Sequence, residues 1–247
     1  MVNSLGHYAE PPARAARCGI QTGIVHVPRR LIVVVIALAL VAARPATAAA
    51  QSEYEQAIAK RADGVVDALK LVDDDARAGR VREILLFHYR ALRDAQDARD
   101  AAIRALRPEA GSAEVDRSDP RVKQVQDQTQ AAVDQLHEKF IDKLAAELTS
   151  EQVETVKNEM TYNVLPVTFG AYCEIHPKLT ETQKAKILEM LAEAREKAVS
   201  AFSAKEKHAW FGKYKGRINN YLSSEGYDLK ADEKAWRERR KAATQPS

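Results

Sequence analysis

Residues 81 to 106 read VREILLFHYRALRDAQDARDAAIRAL, and the spacing of their apolar side chains decides the fold class. Val81, Ile84, Leu85, His88 and Leu92 fall on one helical face, and Ile103 and Leu106 carry the stripe onward. A half-buried strand would alternate every second residue, and this segment carries the helical period instead. Upstream, Ile58, Ala62, Val65 and Leu69 repeat the same period. The run Asp73-Asp74-Asp75 between the two stripes reads as the N-terminal cap of the second helix, where carboxylates meet unpaired N–H groups and the positive end of the helix dipole.

Downstream, Pro108 and the stretch Glu109 to Pro120 read as a loop. A third helix from Arg121 to Leu148 presents Val122, Val125, Thr129, Ala132, Leu136, Phe140 and Leu144. Three capping boxes, Thr149 with Gln152, Thr180 with Gln183 and Ser203 with Glu206, mark three further helix starts. Lys230 to Arg240 reads as a short charged helix anchored by Trp236, and 241–247 as a disordered tail. No stretch reads as a strand. The expectation is an all-α multi-helix bundle with long N-terminal helices and no sheet, forming one domain over 51–240.

The first 50 of the 247 residues read as a leader. Arg29 and Arg30 precede an apolar run from Leu31 to Val41, and small residues end in Ala48-Ala49-Ala50. That run falls short of the roughly 20 residues a membrane span needs, and the A-x-A ending suits signal peptidase. Cleavage is expected between Ala50 and Gln51, with a true start codon near Val25 or Val27, no membrane span afterwards, and a periplasmic or secreted product. The leader carries five of the 38 Lys+Arg and one of the 35 Asp+Glu, so the exported part has 33 against 34. Such a neutral balance gives no support for nucleic-acid binding. Cys18 leaves with the leader and Cys173 is then alone, so stability must come from a core.

The exported histidines are His88, His137, His176 and His208, with no H-E-x-x-H, no paired cysteines and no glycine-rich phosphate loop. No metal or cofactor is therefore expected, and with no recognisable catalytic motif the reading leans away from an enzyme. Cys173 beside Tyr172 reads as a buried, inert thiol. Asp94, Asp97 and Asp100, interleaved with arginines, read as a solvated ion-paired face. His88, on the apolar stripe, reads as a core histidine.

The odd composition lies in KHAWFGKYKGRINNYL, Lys207 to Leu222. Trp210, Phe211, Tyr214, Ile218, Tyr221 and Leu222 share one arc, while Gly212, Gly216, Asn219 and Asn220 occupy the reverse, with Lys215 and His208 at one margin and Lys213 and Arg217 at the other. Each interior glycine costs a helix about 1 kcal/mol relative to alanine, so the pair implies a close backbone approach or a break. The segment reads either as a central core helix or as a binding surface of aromatic, amide and cationic groups suited to a carbohydrate or an acidic oligosaccharide. Met160 to Pro177, rich in Pro, Gly and β-branched residues, reads as an irregular segment bringing Tyr162, Asn163, Thr168 and Tyr172 to the same place. The candidate ligand-binding set is Tyr162, Tyr172, His176, His208, Trp210, Lys213, Tyr214, Lys215, Arg217, Asn219 and Asn220.

The blocks ELTSEQVETVKNEMTYNVLPVTFGAY, LTETQKAKILEMLAEAREKA and EKHAWFGKYKGRINNYLSSEGYDL resemble a family of exported bacterial proteins, domain of unknown function (DUF) 3826, over roughly Tyr54 to Leu229. The family occurs in bacteria that degrade plant and algal polysaccharides, so the resemblance implies a polysaccharide-related role and supplies no catalytic residue to carry over. The repeated L-T-x-x-Q pattern, Leu148 to Gln152 and Leu179 to Gln183, is similar to the helix starts of Spy and CpxP-type periplasmic chaperones. Three functions follow as expectations. The first is a ligand-binding module for polysaccharide utilisation. The second is a hydrolase or lyase on polysaccharide fragments, with His208, His176, Asp100 or Glu174 as acid/base groups. The third is a Spy-like chaperone. Long amphipathic helices leave a homo-oligomer open.

Overall fold

The computed structural model describes residues 48–71, 74–106 and 118–244, which form eight helices and no strand. They are α1 (Ala48–Leu69), α2 (Asp75–Ala105), α3 (Pro120–Glu147), α4 (Ser150–Met160), α5 (Val164–Ile175), α6 (Glu181–Val199), α7 (Ala204–Ser224) and α8 (Leu229–Thr244). The expected leader, up to residue 47, and most of the expected loop, 107–117, lie outside the described residues. So does Asp73, while Asp74 caps α2 by accepting from the Arg77 N–H at 2.9 Å.

The all-α bundle has two adjoining cores. In the first, Ile58, Ala62 and Val65 of α1 meet Val81 and Leu85 of α2, Phe140 and Leu144 of α3, and Val156 of α4. In the second, Leu165 of α5 and Ile187, Leu191 and Ala194 of α6 close on Phe211, Ile218 and Leu222 of α7. Each fully buried aliphatic side chain contributes roughly 1.5–3 kcal/mol. α3 differs from expectation in one position: Val133, not Ala132, is the buried residue. Four steps from Thr129 keep the branched side chain on the inward face.

Two capping boxes are complete, at Thr149 and at Thr180. The third is half of one. Ser203 accepts from the Glu206 N–H at 3.2 Å, but the Glu206 carboxylate reaches one residue further back, to the Phe202 N–H at 3.0 Å. The expected irregular segment from Met160 to Pro177 is corrected as well. It is a tight turn at Tyr162 and Asn163, both at positive φ, followed by the regular helix α5. Pro166 sits in the first turn of α5, where its missing N–H has no intrahelical bond to make.

The glycines of α7 neither break the helix nor admit a neighbour, contrary to expectation. α7 runs unbroken through Gly212 and Gly216, and a methyl group on either would meet nothing within 4 Å. Its aromatic arc is inward, with Phe211, Tyr214, Ile218 and Leu222 buried, and its glycine face is bare. α7 ends where Gly226 takes φ +90° and the Tyr227 N–H returns to the Leu222 carbonyl at 3.1 Å. α8 continues to Thr244, so 241–244 are helical rather than part of a disordered tail. Ala242 and Ala243 are strong helix formers, and the first breaker is Pro246.

Candidate functional site

The residues singled out in the sequence fall in separate places. Tyr172, His176, Lys215 and Asn219 line one pocket of 260 Å³ together with Thr168 and Glu233, between α5, α7 and α8. There the Tyr172 hydroxyl donates to Asn219 Oδ1 at 2.8 Å, and burial pushes its pKa up to about 12. His176, 3% exposed, holds Asp232 Oδ2 at 2.8 Å through Nδ1. Trp236 Nε1 donates to Glu174 at 3.1 Å, and Arg239 donates to the Glu174 carbonyl at 2.9 Å. Cys173 beside them is a free, half-buried thiol, less enclosed than expected.

Tyr214 belongs to the core, with the Arg217 guanidinium 4.6 Å over its ring and Arg217 also paired with Glu193 at 3.2 Å. Lys213 lies 5.2 Å over the Trp210 ring, and Asn220 is exposed. Trp210 lines a 380 Å³ cavity with Arg99, Asp100, Lys197, Ser200 and Phe202. Tyr162, 49% exposed, stacks on His208 at 5.6 Å and lines a 250 Å³ pocket on the other side of Phe202. Ala201 and Phe202 belong to both linings, so they divide the 380 Å³ cavity from the 250 Å³ pocket.

Beneath this divide runs a polar network that no sequence spacing announced. Buried His88 stacks on Phe140 at 4.0 Å, and its Nε2 is 3.5 Å from the Ser200 hydroxyl. Ser200 Oγ is 3.0 Å from His137 Nδ1, and His137 Nε2 is 3.2 Å from Glu196. Burial lowers the His88 pKa to about 3, with His137 and Lys207 adding to the effect. Burial alone would raise Glu196, but the hydrogen bonds from His137 and Lys157 outweigh it and hold the carboxyl down to about 2. The order Ser, His, Glu resembles an acyl-transfer relay. The next two amides are engaged, however, Ala201 N–H with the Ala198 carbonyl and Phe202 N–H with Glu206. Neither is free to hold an oxyanion, and the network reads as an internal tie. Arg195, buried on α6, ties the two cores in the same way through Asn158 and Glu154 of α4.

The 250 Å³ pocket is different because its two arginines are incompletely partnered by the described residues. Arg93 lies 4.1 Å over the Tyr54 ring and 3.7 Å from Asp97, and its Nη1 is buried with no acceptor among the described residues. Arg61 lines the same pocket and forms no hydrogen bond or ion pair with a described residue. Lys207, 8% exposed, donates from Nζ to the Ala198 and Val199 carbonyls at 2.9 Å each. Burial first, and then the nearby Arg61 charge, lowers its pKa to about 8. Tyr89, also on this wall, is pushed up to about 12 by burial and stays a neutral phenol.

A family model described as a protein of unknown function, DUF3826, matches residues 55–242. The chain belongs to the DUF3826 family. The match covers every element named above except the first turns of α1 and the last residues of α8. A comparison with curated proteins found no match. In this DUF3826 chain, reading the sequence missed Tyr54, Arg61, Tyr89, Arg93, Phe202 and Lys207 as pocket residues. One signal was there to be used: Lys207, Phe211, Tyr214 and Ile218 share a helical face, and a lysine on an apolar stripe is an anomaly. Among the described residues no group of three or more His, Cys, Asp or Glu could hold a metal ion, and no helix is long and apolar enough to cross a membrane.

Proposed function

We propose that this protein is an exported helical module of the cell envelope that binds carboxylated carbohydrate in the pocket between α1, α2 and the start of α7. Export rests on the leader, with its apolar run and its Ala48-Ala49-Ala50 ending. The observation that carries the binding reading is unmatched positive charge among aromatic rings. Arg61 and Arg93 face a single carboxylate, Asp97, in a lining that also holds Tyr54, Tyr89, Tyr162 and Phe202. A ligand carboxylate in the pocket would supply Arg61 with the acceptor that no described residue gives it. Rings stack on the apolar faces of sugars while guanidinium groups grip carboxylates in a fork.

Titration calorimetry with oligogalacturonate and its neutral methyl ester tests this reading on the full chain. The acid is expected to bind and the ester to bind weakly or not at all. Arg61→Ala should weaken the acid about tenfold, a loss of about 1.4 kcal/mol, without changing the melting temperature. Equal affinity for acid and ester, or no heat with either, overturns the proposal.

A further inference from the structure

The carboxylate reading leaves Lys207 with more than a binding role to explain. A cation meant only to attract an anion belongs where water can keep it charged, yet Lys207 is 8% exposed and stands near Arg61, a like charge. Its two hydrogen bonds suit the neutral amine. A neutral amine has two N–H bonds, which the Ala198 and Val199 carbonyls accept, and one lone pair. No described residue engages that third position, and Lys207 lines the pocket. A buried amine with its donors occupied and its lone pair open is a base.

The rest of the pocket supplies what such a base needs. A hydrogen on the carbon next to a carboxylate becomes acidic only when the carboxylate charge is neutralised, and Arg61 and Arg93 set two cations on the wall against one carboxylate, Asp97. At the rim Tyr162 stacks on His208, and its hydroxyl bonds no described residue. Its backbone holds φ +59°, an uncommon conformation for tyrosine, pinned by the Asn163 N–H to Asn158 carbonyl bond at 2.8 Å and the Asn163 Nδ2 to Glu159 bond at 2.9 Å.

We propose that this pocket cleaves uronate-containing oligosaccharides by β-elimination, with Lys207 as base, Arg61 and Arg93 holding the carboxylate, and Tyr162 as acid. Lys207 Nζ takes the proton from C5, next to the carboxylate. The C5–H electron pair becomes the C4=C5 double bond as the C4–O4 bond breaks. The neighbouring sugar leaves with O4, which takes the Tyr162 hydroxyl proton. Solvent then returns the proton from Lys207 to Tyr162, so no oxidant, reductant or water is consumed. The inference rests on the carboxylate-binding reading above and goes one step past it.

The test uses the full chain with oligogalacturonate, oligomannuronate and oligoglucuronate, following the ultraviolet absorbance of the conjugated double bond beside calorimetric binding. At least one oligouronate should be bound and cleaved, with a rate that rises as pH is raised through about 8, where Lys207 loses its proton. Lys207→Arg keeps a cation beside the two carbonyls but cannot act as a base, so binding should persist while the rate falls about a hundredfold or more. Should that variant fail to fold, Tyr162→Phe at the exposed rim serves instead, with at least about a tenfold loss of rate at unchanged affinity. Binding without any absorbance change overturns the elimination and leaves the binding reading standing, whereas absence of binding overturns both. Cleavage undiminished in both variants overturns the assignment of base and acid.

Discussion

At the α5–α8 end, Tyr172 donates to Asn219, His176 holds Asp232, and Trp236 and Arg239 both reach Glu174. The pocket beside Phe202 is built from the same kinds of side chain, yet among the described residues Arg61 has no acidic partner there and Arg93 Nη1 no acceptor. Composition alone cannot separate the two, since both mix tyrosines with basic groups and carboxylates. Satisfaction separates them. The α5–α8 cluster bonds within itself as an internal tie, while the pocket beside Phe202 keeps an orphan donor, a cost shared by the tie at Arg195, whose Nε is also buried without an acceptor among the described residues.

The comparison can be broken from the core outward. Phe211→Ala, at 1% exposure beneath the α5–α7 packing, is expected to cost about 3–5 kcal/mol in denaturant unfolding. Loss of ligand binding without loss of stability would instead make α7 a recognition surface and the α5–α8 end a site. The next effect is in acid. His88, held near 3 in the folded state, takes up a proton from about pH 6.5 downward only when unfolded. Stability therefore falls as pH drops from 6.5 toward 3, by about 1.4 kcal/mol per unit. Glu196, held near 2, adds a further loss as pH falls from its ordinary value of 4.5. His88→Phe should flatten the stability profile between pH 6.5 and 4.5 and leave the Glu196 loss below it, and an unchanged slope would mean that His88 is solvated. The smallest effect sharpens the contrast most directly. Tyr172→Phe removes one internal bond and should cost about 1 kcal/mol, measured by thermal unfolding and with no change in uronate binding.

Much of the fold was legible because it is written in local periods. The stripe from Val81 to Leu92, the caps at Thr149 and Thr180, and the inward arc of α7 each depend on residues three or four apart. Where reading failed, the competing cause was also physical. Pro166 and Gly170 suggested irregularity in α5, but a proline in the first turn costs a helix nothing there. Gly212 and Gly216 suggested a close neighbour, and none of the described residues is one.

The candidate site was less legible, because its members come from distant segments. Tyr54 and Arg61 lie on α1, Arg93 on α2, and Phe202 and Lys207 at the α6–α7 junction. The tertiary packing of α1 against α2 and α4 brings them together. The charged face of α2 read as plain solvent surface, yet Arg93 and Arg99 from that face lie over the rings of Tyr54 and Phe202 and border the two cavities.

The order in which the helices pack carries a consequence for how the chain finds its fold. α6 packs on α7, α5 on α6, α2 on α3 and α1 on α2, each on its successor in the chain. Such contacts close short loops and form early and fast. α4 also meets α6 and α5 meets α8, but the longest reach is that of α1 to α4, across the whole of α2 and α3. Docking of α1 is therefore the step that most slows assembly, and since Tyr54 and Arg61 ride on α1, the pocket is among the last parts of the molecule to exist.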